Sequence, residues 1–425
     1  VSWQRCLYGA LWRTLTPLIR RYLRKRAKQA PAYLLHWDER FGRALQPRAV
    51  GAIWIHAVSV GETRAAQPLV AALRRQWPDA PLLLTQMTPT GRATAEALYP
   101  DAEVRYLPYD YPQAAADFLA AYRPRCGVLM ETELWPNLIH AAAAQRVPLV
   151  LANARLSDKS LKGYRRILGL IRPAMRDLAA VAAQTAADAD RFRKIGAENI
   201  TVCGNSKYDI EIPAEQMQLA DGFRQRIGAR QALLCASTRE GEEALILDAW
   251  LAAGDAVGDA VGDALLVLAP RHPERLQAVA ELAAERGLKL QRRSDGAAVA
   301  ADTQVWLGDS MGEMFGYLGA CDVAFIGGSL LPFGCHNLIE PAIAGVPALF
   351  GPSVFNFQQA AADAQAAGAA RQVADAAEMV ALALSLLADP ERRAAMREGA
   401  AAFRQAHRGA SQRMLEVIRA TLDAS

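Results

Sequence analysis

The chain has 425 residues, 52% hydrophobic and 22% charged, which is more than one hydrophobic core serves and implies two domains of about 200 residues each. That composition argues against a disordered chain or a polytopic membrane protein. The net charge of +4 is unevenly held: Arg5, Arg13, Arg20, Arg21, Arg24, Lys25, Arg26 and Lys28 precede any acid, so the rest is net acidic, which argues against a nucleic-acid binder.

In chain order, the first element is an N-terminal helix. Leu7, Leu11, Leu15, Leu18, Ile19, Tyr22 and Leu23 recur at helical spacing, and Arg5 and Arg13 interrupt the apolar run well short of the ~20 residues that span a bilayer. Residues 1–45 are therefore expected to form a basic amphipathic segment that lies on a membrane surface. Trp3, Tyr8 and Trp12 suit the headgroup region and the Arg20 to Lys28 cluster suits anionic lipid. The alternatives are a packing helix on the domain surface or a signal peptide; the latter is disfavoured because the charge follows the apolar stretch.

From about residue 49, short apolar runs alternate with helical stretches: GAIWIHAVSV, PLLLTQM, RCGVLME, VPLVLANA, VAAQT and ITVCG are the strands. This is the βαβ pattern of a parallel sheet covered on both faces. Residues 46–207 form one such domain and 208–230, which lack a strong apolar strand, read as a connection. ALLCAST, ALLVLAP, LKLQRR, QVWLGD, VAFIGGS and VPALFGP then build a second α/β domain over 231–425, ending in helices. GDAVGDAVGDA, Gly254 to Ala264, is a short repeat expected to be a surface loop. Cys6, Cys126, Cys203, Cys235, Cys321 and Cys335 lack metal-ligand spacing and indicate neither zinc nor a disulfide framework.

Open parallel sheets bind ligands at the carboxyl ends of their strands, and two such domains make an interdomain cleft the expected site. In HAVSVGE a strand ends near Ser59 and Gly61, and Glu62 opens a helix. Glu62 is there either as a general base toward a hydroxyl or as a favourable first-turn acid. Glu131 and Glu133 in METELWPN follow another strand, where two carboxylates can order an acceptor or support a base. Lys207 in CGNSKYD can neutralise developing negative charge or be a solvated linker lysine. In the second domain STREGEE, with Ser237 and Thr238, APRHPER, with Pro270 and Arg271, GDSMGEM and FIGGSLLPFGCHNLIEPA supply four successive strand-to-helix turns suited to phosphate and ribose. No GxxxxGK[ST], HExxH or GxSxG motif and no metal-placing DxD pair is present, which disfavours P-loop enzymes and zinc hydrolases.

HAVSVGE, TPTG, YLPYD, ETELWPN, NARLSDKS, GNSKYD, STREGEE, PRHPER, GDSMGEM, GGSLLPFGCHNLIEP and GPSVFNF, taken together and in order between about residues 31 and 357, resemble 3-deoxy-D-manno-octulosonic acid (Kdo) transferases of lipopolysaccharide biosynthesis. The resemblance implies a GT-B glycosyltransferase fold, two Rossmann-like domains with the acceptor on the first and the donor on the second. It implies inverting transfer of Kdo from CMP-Kdo to a lipid A precursor, lipid IVA, with no metal ion or other cofactor, at the cytoplasmic face of the bacterial inner membrane. Carried over by motif, Glu62 is the catalytic base, Glu131 and Lys207 stabilise the transition state, and Ser59 and Gly61 face the acceptor. Ser237, Thr238, Pro270, Arg271, Met311, Gly312, Glu313, Asn337, Leu338, Ile339 and Glu340 bind the donor. The chain departs from the family pattern at Arg239, where histidine is common, and at Cys335, where glycine is common. The rival readings are another GT-B transferase or epimerase, and a non-catalytic lipid-binding scaffold, against which the intact set Glu62, Glu131 and Lys207 speaks.

Overall fold

The computed structural model describes residues 3–257 and 263–424, so the centre of the GDAVGDAVGDA repeat lies outside the described residues. The chain forms two compact units, residues 1–210 with 408–425, and residues 211–407.

The first unit is built on a parallel sheet of β1 (Ile53–His56), β2 (Leu82–Gln86), β3 (Glu103–Tyr106), β4 (Cys126–Met130), β5 (Leu149–Ala154), β6 (Ala180–Ala183) and β7 (Ile200–Val202), in the order β3-β2-β1-β4-β5-β6-β7. Chain order reverses between β1 and β4, and that switch point is where such sheets hold ligands. The two strands pair in parallel, Ile53 beside Cys126 and His56 beside Leu129. Gly127 is required there: a Cβ would come within 2.4 Å of Leu149 and 2.6 Å of the Trp54 ring. Trp54, fully buried, closes the layer beneath the switch and donates its indole N–H to Thr85 Oγ1 at 2.8 Å.

The second unit repeats the plan with β8 (Ala232–Thr238), β9 (Leu265–Pro270), β10 (Leu290–Arg292), β11 (Val305–Leu307), β12 (Val323–Ile326), β13 (Ala348–Phe350) and β14 (Ala370–Gln372), in the order β10-β11-β9-β8-β12-β13-β14. Its switch point lies between β8 and β12. The central strands of both sheets are buried on both faces, which is why they read as unbroken apolar runs.

Three features differ from the sequence expectation. Residues 208–230 are not a bare connection: Ala214–Ile227 is a helix that packs against the Met314–Ala320 helix, with Phe223 and Ile227 buried. The last helix, Ala410–Asp423, belongs to the first unit rather than the second, burying Ala410, Met414, Leu415 and Ile418 in the same core as Leu69, Val70 and Leu73. Asp209 of the GNSKYD run fixes its start by accepting from the Gly409 and Ser411 backbone N–H groups, both at 2.6 Å.

The third concerns the N-terminal helix, Trp3–Ala27. Tyr8 and Trp12 turn inward onto the first unit instead of outward to a headgroup layer, Trp12 stacking on Tyr109 at 5.7 Å between centroids. Arg20 lies over Phe41 and Arg26 donates to the Tyr33 hydroxyl, so part of the basic cluster is engaged on the unit itself. Trp3, Leu7, Leu11, Leu15, Leu18 and Tyr22 face outward as an exposed apolar ridge. Among the described residues, no helix is long and apolar enough to cross a membrane.

Candidate active site

At the first switch point three carboxyl groups converge. Glu62 stands in the first turn of the Val60–Ala65 helix just past β1, its Oε2 accepting from the Val58 backbone N–H at 2.5 Å and its Oε1 from the Ser59 hydroxyl at 3.4 Å. Burial, then the charges of Glu131 and, more weakly, Glu133, push its carboxyl up to about 8 despite those donors. Gly61 is exposed, with only Ser59 Oγ near a built Cβ, at 3.9 Å.

Glu131 follows β4 with φ of +60°, a left-handed conformation that costs a non-glycine residue on the order of 1–2 kcal/mol. Its backbone N–H is held by the Ala152 carbonyl at 2.9 Å, and its Oε1 lies 3.4 Å from Lys207 Nζ. Lys207 is positioned by Asn205, whose Oδ1 takes the Lys207 N–H, and by the neighbouring Ser206 N–H, which donates to Asn153 Oδ1. Glu133 accepts from the Trp135 indole N–H at 2.7 Å, and burial raises its carboxyl as well. His56, buried at the end of β1, bonds Thr85 through Nδ1, is held down to about 3 by burial, and presents its ring edge-on to Trp135. The structure therefore brings Ser59, Gly61, Glu62, Glu131 and Lys207 together within one unit.

A protonated Glu62 cannot accept a proton, and at pH 7 a carboxyl titrating near 8 is ionised in roughly a tenth of molecules. If it serves as base, kcat/KM for the acceptor rises about tenfold per pH unit below pH 8 and levels above it. Glu131→Gln removes the like charge, so this limb moves to lower pH; a pH–rate series on both proteins measures the displacement, and an unmoved limb rules out Glu62 as its source.

At the second switch point a buried carboxylate joins two turns. Glu242 of STREGEE is fully buried and accepts from four backbone N–H groups: Arg239 at 2.9 Å, Gly328 at 2.6 Å, Ser329 at 2.9 Å and Leu330 at 2.9 Å. It ties the turn after β8 to the glycine loop after β12. Glu243, also buried, accepts from Thr238 and Arg275. Ser237 lies at φ +57°, with Gly327 pressed against it: a Cβ there would sit 2.6 Å from the Ser237 carbonyl oxygen. Pro270 ends β9, and the Arg271 backbone N–H returns to the Thr238 carbonyl, leaving the Arg271 side chain exposed. Arg239 stacks over Phe333 at 4.6 Å. His336, missed in the sequence reading, is held down to about 4 by burial and by the surrounding Arg271, Arg239 and His272.

Of the other expected donor residues, Met311 is exposed and Gly312 takes φ of +85°. The Glu313 carboxylate is already taken by Arg293 at 2.5 Å and by Ser310. Asn337 Oδ1 caps the Ile339 N–H at 3.2 Å, Leu338 and Ile339 bury their side chains, and Glu340 is half-buried in the first turn of the Ile339–Ala344 helix. Cys335 itself adopts φ of +65°, so Gly334, at +90°, does not relieve it of the left-handed conformation.

Two seven-stranded parallel sheets of this topology, each with its polar groups at the switch point, define a GT-B protein. A UDP-GlcNAc 2-epimerase from Neisseria meningitidis (TM-score 0.60, 14% identity, covering 86% of this chain and 99% of that one) and a glycosyltransferase from Rickettsia africae ESF-5 (TM-score 0.60, 11% identity, 88% and 100%) share the fold. Residues 35–210 match the family described as 3-Deoxy-D-manno-octulosonic-acid transferase (kdotransferase). The 3-deoxy-D-manno-octulosonic acid transferase of Bordetella pertussis is 44% identical, covering 97% of this chain and 98% of its own, and that of Haemophilus influenzae is 36% identical over 84% of each. The chain belongs to the 3-deoxy-D-manno-octulosonic acid transferase family and is a glycosyltransferase.

Proposed function

We propose that this enzyme transfers Kdo from CMP-Kdo to a lipid A precursor, lipid IVA, with inversion at the anomeric carbon and without a metal ion. The observation that carries the reading is a partly buried Glu62, raised to about 8, beside a Glu131–Lys207 pair at the switch point of a chain in this family.

Glu62 takes the proton of an acceptor hydroxyl as that oxygen forms its bond to the anomeric carbon, and the bond from that carbon to the CMP phosphate oxygen breaks. CMP leaves as an ionised phosphate and needs no acid. A base titrating near 8 is a stronger proton acceptor than an ordinary carboxylate, which suits a hydroxyl nucleophile. Ser59 and Gly61 line the acceptor side. Lys207, paired with Glu131, and Arg271 offset the charge that develops on the donor. Ser237, Thr238, Pro270, Met311, Gly312, Glu313 and Asn337 through Glu340 hold CMP; Glu313, Leu338 and Ile339, whose side chains are engaged or buried, contribute through their backbone.

The acceptor is a lipid, and the exposed ridge of Trp3, Leu7, Leu11 and Leu18 favours docking on the cytoplasmic face of the inner membrane. Incubation with CMP-Kdo and lipid IVA, with and without EDTA, and mass spectrometry of the lipid tests the reading. A lipid heavier by Kdo units in both arms is expected; no product with CMP-Kdo, or product abolished by EDTA, overturns the donor or the metal-free step respectively.

A further inference from the structure

The N-terminal helix has two faces, and only the outer one is accounted for by docking. Its inner face meets Trp135, at the end of the loop that carries Glu131 and Glu133. Trp12 stacks on Trp135 at 6.4 Å between centroids with planes 18° apart, and also packs on Tyr109 and Tyr111, each at 5.7 Å. Trp135 is the residue whose indole N–H holds Glu133, and whose flank meets the edge of His56 at the end of β1.

One helical turn earlier, the Tyr8 hydroxyl lies near the Asp110 carboxylate, and burial together with that charge pushes the phenol up. Asp110 is buried and accepts from the backbone N–H groups of Asn137 at 3.0 Å and Leu138 at 2.8 Å, the first turn of the Pro136–Ala144 helix. Gly9 sits against Pro112, which a Cβ would approach to 2.9 Å, and Thr16 bonds the Tyr111 hydroxyl at 2.8 Å. Residues 131–135 are thus held from the sheet at one end, through Glu131 and Ala152, and met by the N-terminal helix at the other, through Trp12. The loop between Glu131 and Trp135 has no regular structure; its other anchors are the Glu131–Lys207 pair, the Thr132 hydroxyl, which donates to the Arg155 carbonyl, and the packing of Leu134 and Trp135 on the core.

We infer that Trp12 is a positioning residue for the transfer reaction: stacked on Trp135, it fixes the loop that carries Glu131 and Glu133 against Glu62. The helix that faces the lipid also sets the geometry of the acceptor-side carboxylates. This rests on the proposed role of Glu62, since positioning matters only if the carboxylate cluster performs the chemistry.

The test uses the full chain with CMP-Kdo and a detergent-dispersed lipid IVA acceptor, which removes membrane docking as a variable. Trp12→Ala is expected to lower kcat about tenfold while the KM for CMP-Kdo stays within twofold, and Trp12→Phe, which keeps a flat ring, to return kcat to within threefold of the parent. Leu7→Ser with Leu11→Ser, on the outer ridge, should leave kcat in detergent unchanged and weaken vesicle binding. A Trp12→Ala protein that folds and keeps kcat within twofold overturns the inference, as does a loss seen only on vesicles. If Trp12→Ala does not fold, Trp12→Leu, which fills the volume without a flat face, is read by the same limits. A parent with no transfer activity would instead sink the proposed function, so the two failures are distinguishable.

Discussion

Replacement of Glu62 by Gln is expected to lower the transfer rate on the order of 10³-fold while leaving CMP binding within about twofold. The amide is nearly isosteric: its carbonyl oxygen can accept from the Val58 N–H, and its NH₂, standing where Oε1 was, can donate to the Ser59 hydroxyl, so the local fold survives. What it cannot do is take a proton. The turns proposed to hold CMP belong to the other compact unit, which gives the nucleotide affinity no reason to change. Single-turnover transfer with CMP-Kdo, alongside calorimetric titration with CMP, separates the two quantities. The pH profile supplies a second check: the residual rate of the variant loses the limb near pH 8 because the group that titrates there is gone. A variant with more than a tenth of the parent rate would remove Glu62 from the role of base and leave it as a first-turn acid. The same raised carboxyl bears on stability. A group whose folded pKa lies above its unfolded value adds stability below the unfolded value and loses it as pH rises through the folded one. Ionising Glu62 between about pH 4.5 and 8 therefore costs the fold stability, and Gln at this position should flatten that dependence.

The central strands were legible because each is buried on both faces and appears as an apolar run bounded by polar turns. Two edge strands, β3 and β14, were not, although the other two edges, β7 and β10, were read in ITVCG and LKLQRR. β3 carries Glu103 and Arg105, paired with each other at 2.8 Å, and β14 is Ala370–Gln372 with two exposed residues of three. An edge strand has one neighbour and tolerates charge, so the apolar signal fades. The Ala214–Ile227 helix escaped for a related reason: only Phe223 and Ile227 reach the core, too few to mark a period. The return of Ala410–Asp423 to the first unit depends on Asp209, two hundred residues upstream, and no local pattern announces so distant a partner. At the site, the positions after β1, β4 and β8 could be read from glycines and acids at strand ends, while their roles could not. Glu62 acquires a high pKa only when folding buries it beside Glu131 and Glu133, and nothing in the spacing separates it from Glu242, a first-turn acid whose duty is structural.

That contrast makes Glu242→Ala the variant with the largest expected effect on stability, about 3–5 kcal/mol. The carboxylate is fully buried and accepts four backbone N–H groups, from Arg239, Gly328, Ser329 and Leu330. Truncation leaves all four donors without this partner in a site closed to solvent, and the loss of each costs about 1–3 kcal/mol before relaxation. Relaxation is limited because Gly327 already presses on Ser237 and Thr238, and Gly351, on the far side, is packed against the Ser329 backbone at 2.4 Å from a built Cβ. The glycine loop after β12 would then part from the turn after β8, carrying with it His336, Arg239 and the amides expected to hold the CMP phosphate. Urea unfolding should show a lower midpoint for the 211–407 unit, and CMP affinity should fall in parallel at temperatures where the protein remains folded. Glu242→Gln tests the charge separately. Its single carbonyl oxygen can serve at most two of the four donors, and its NH₂ faces donors rather than acceptors, so it should recover little of the loss. A Glu242→Ala protein with unchanged midpoint and CMP affinity would mean that the glycine loop is held by its own backbone hydrogen bonds, such as Cys335 N–H to Gly328 O at 2.6 Å and Gly327 N–H to Ala236 O at 2.8 Å, with the buried carboxylate superfluous to it.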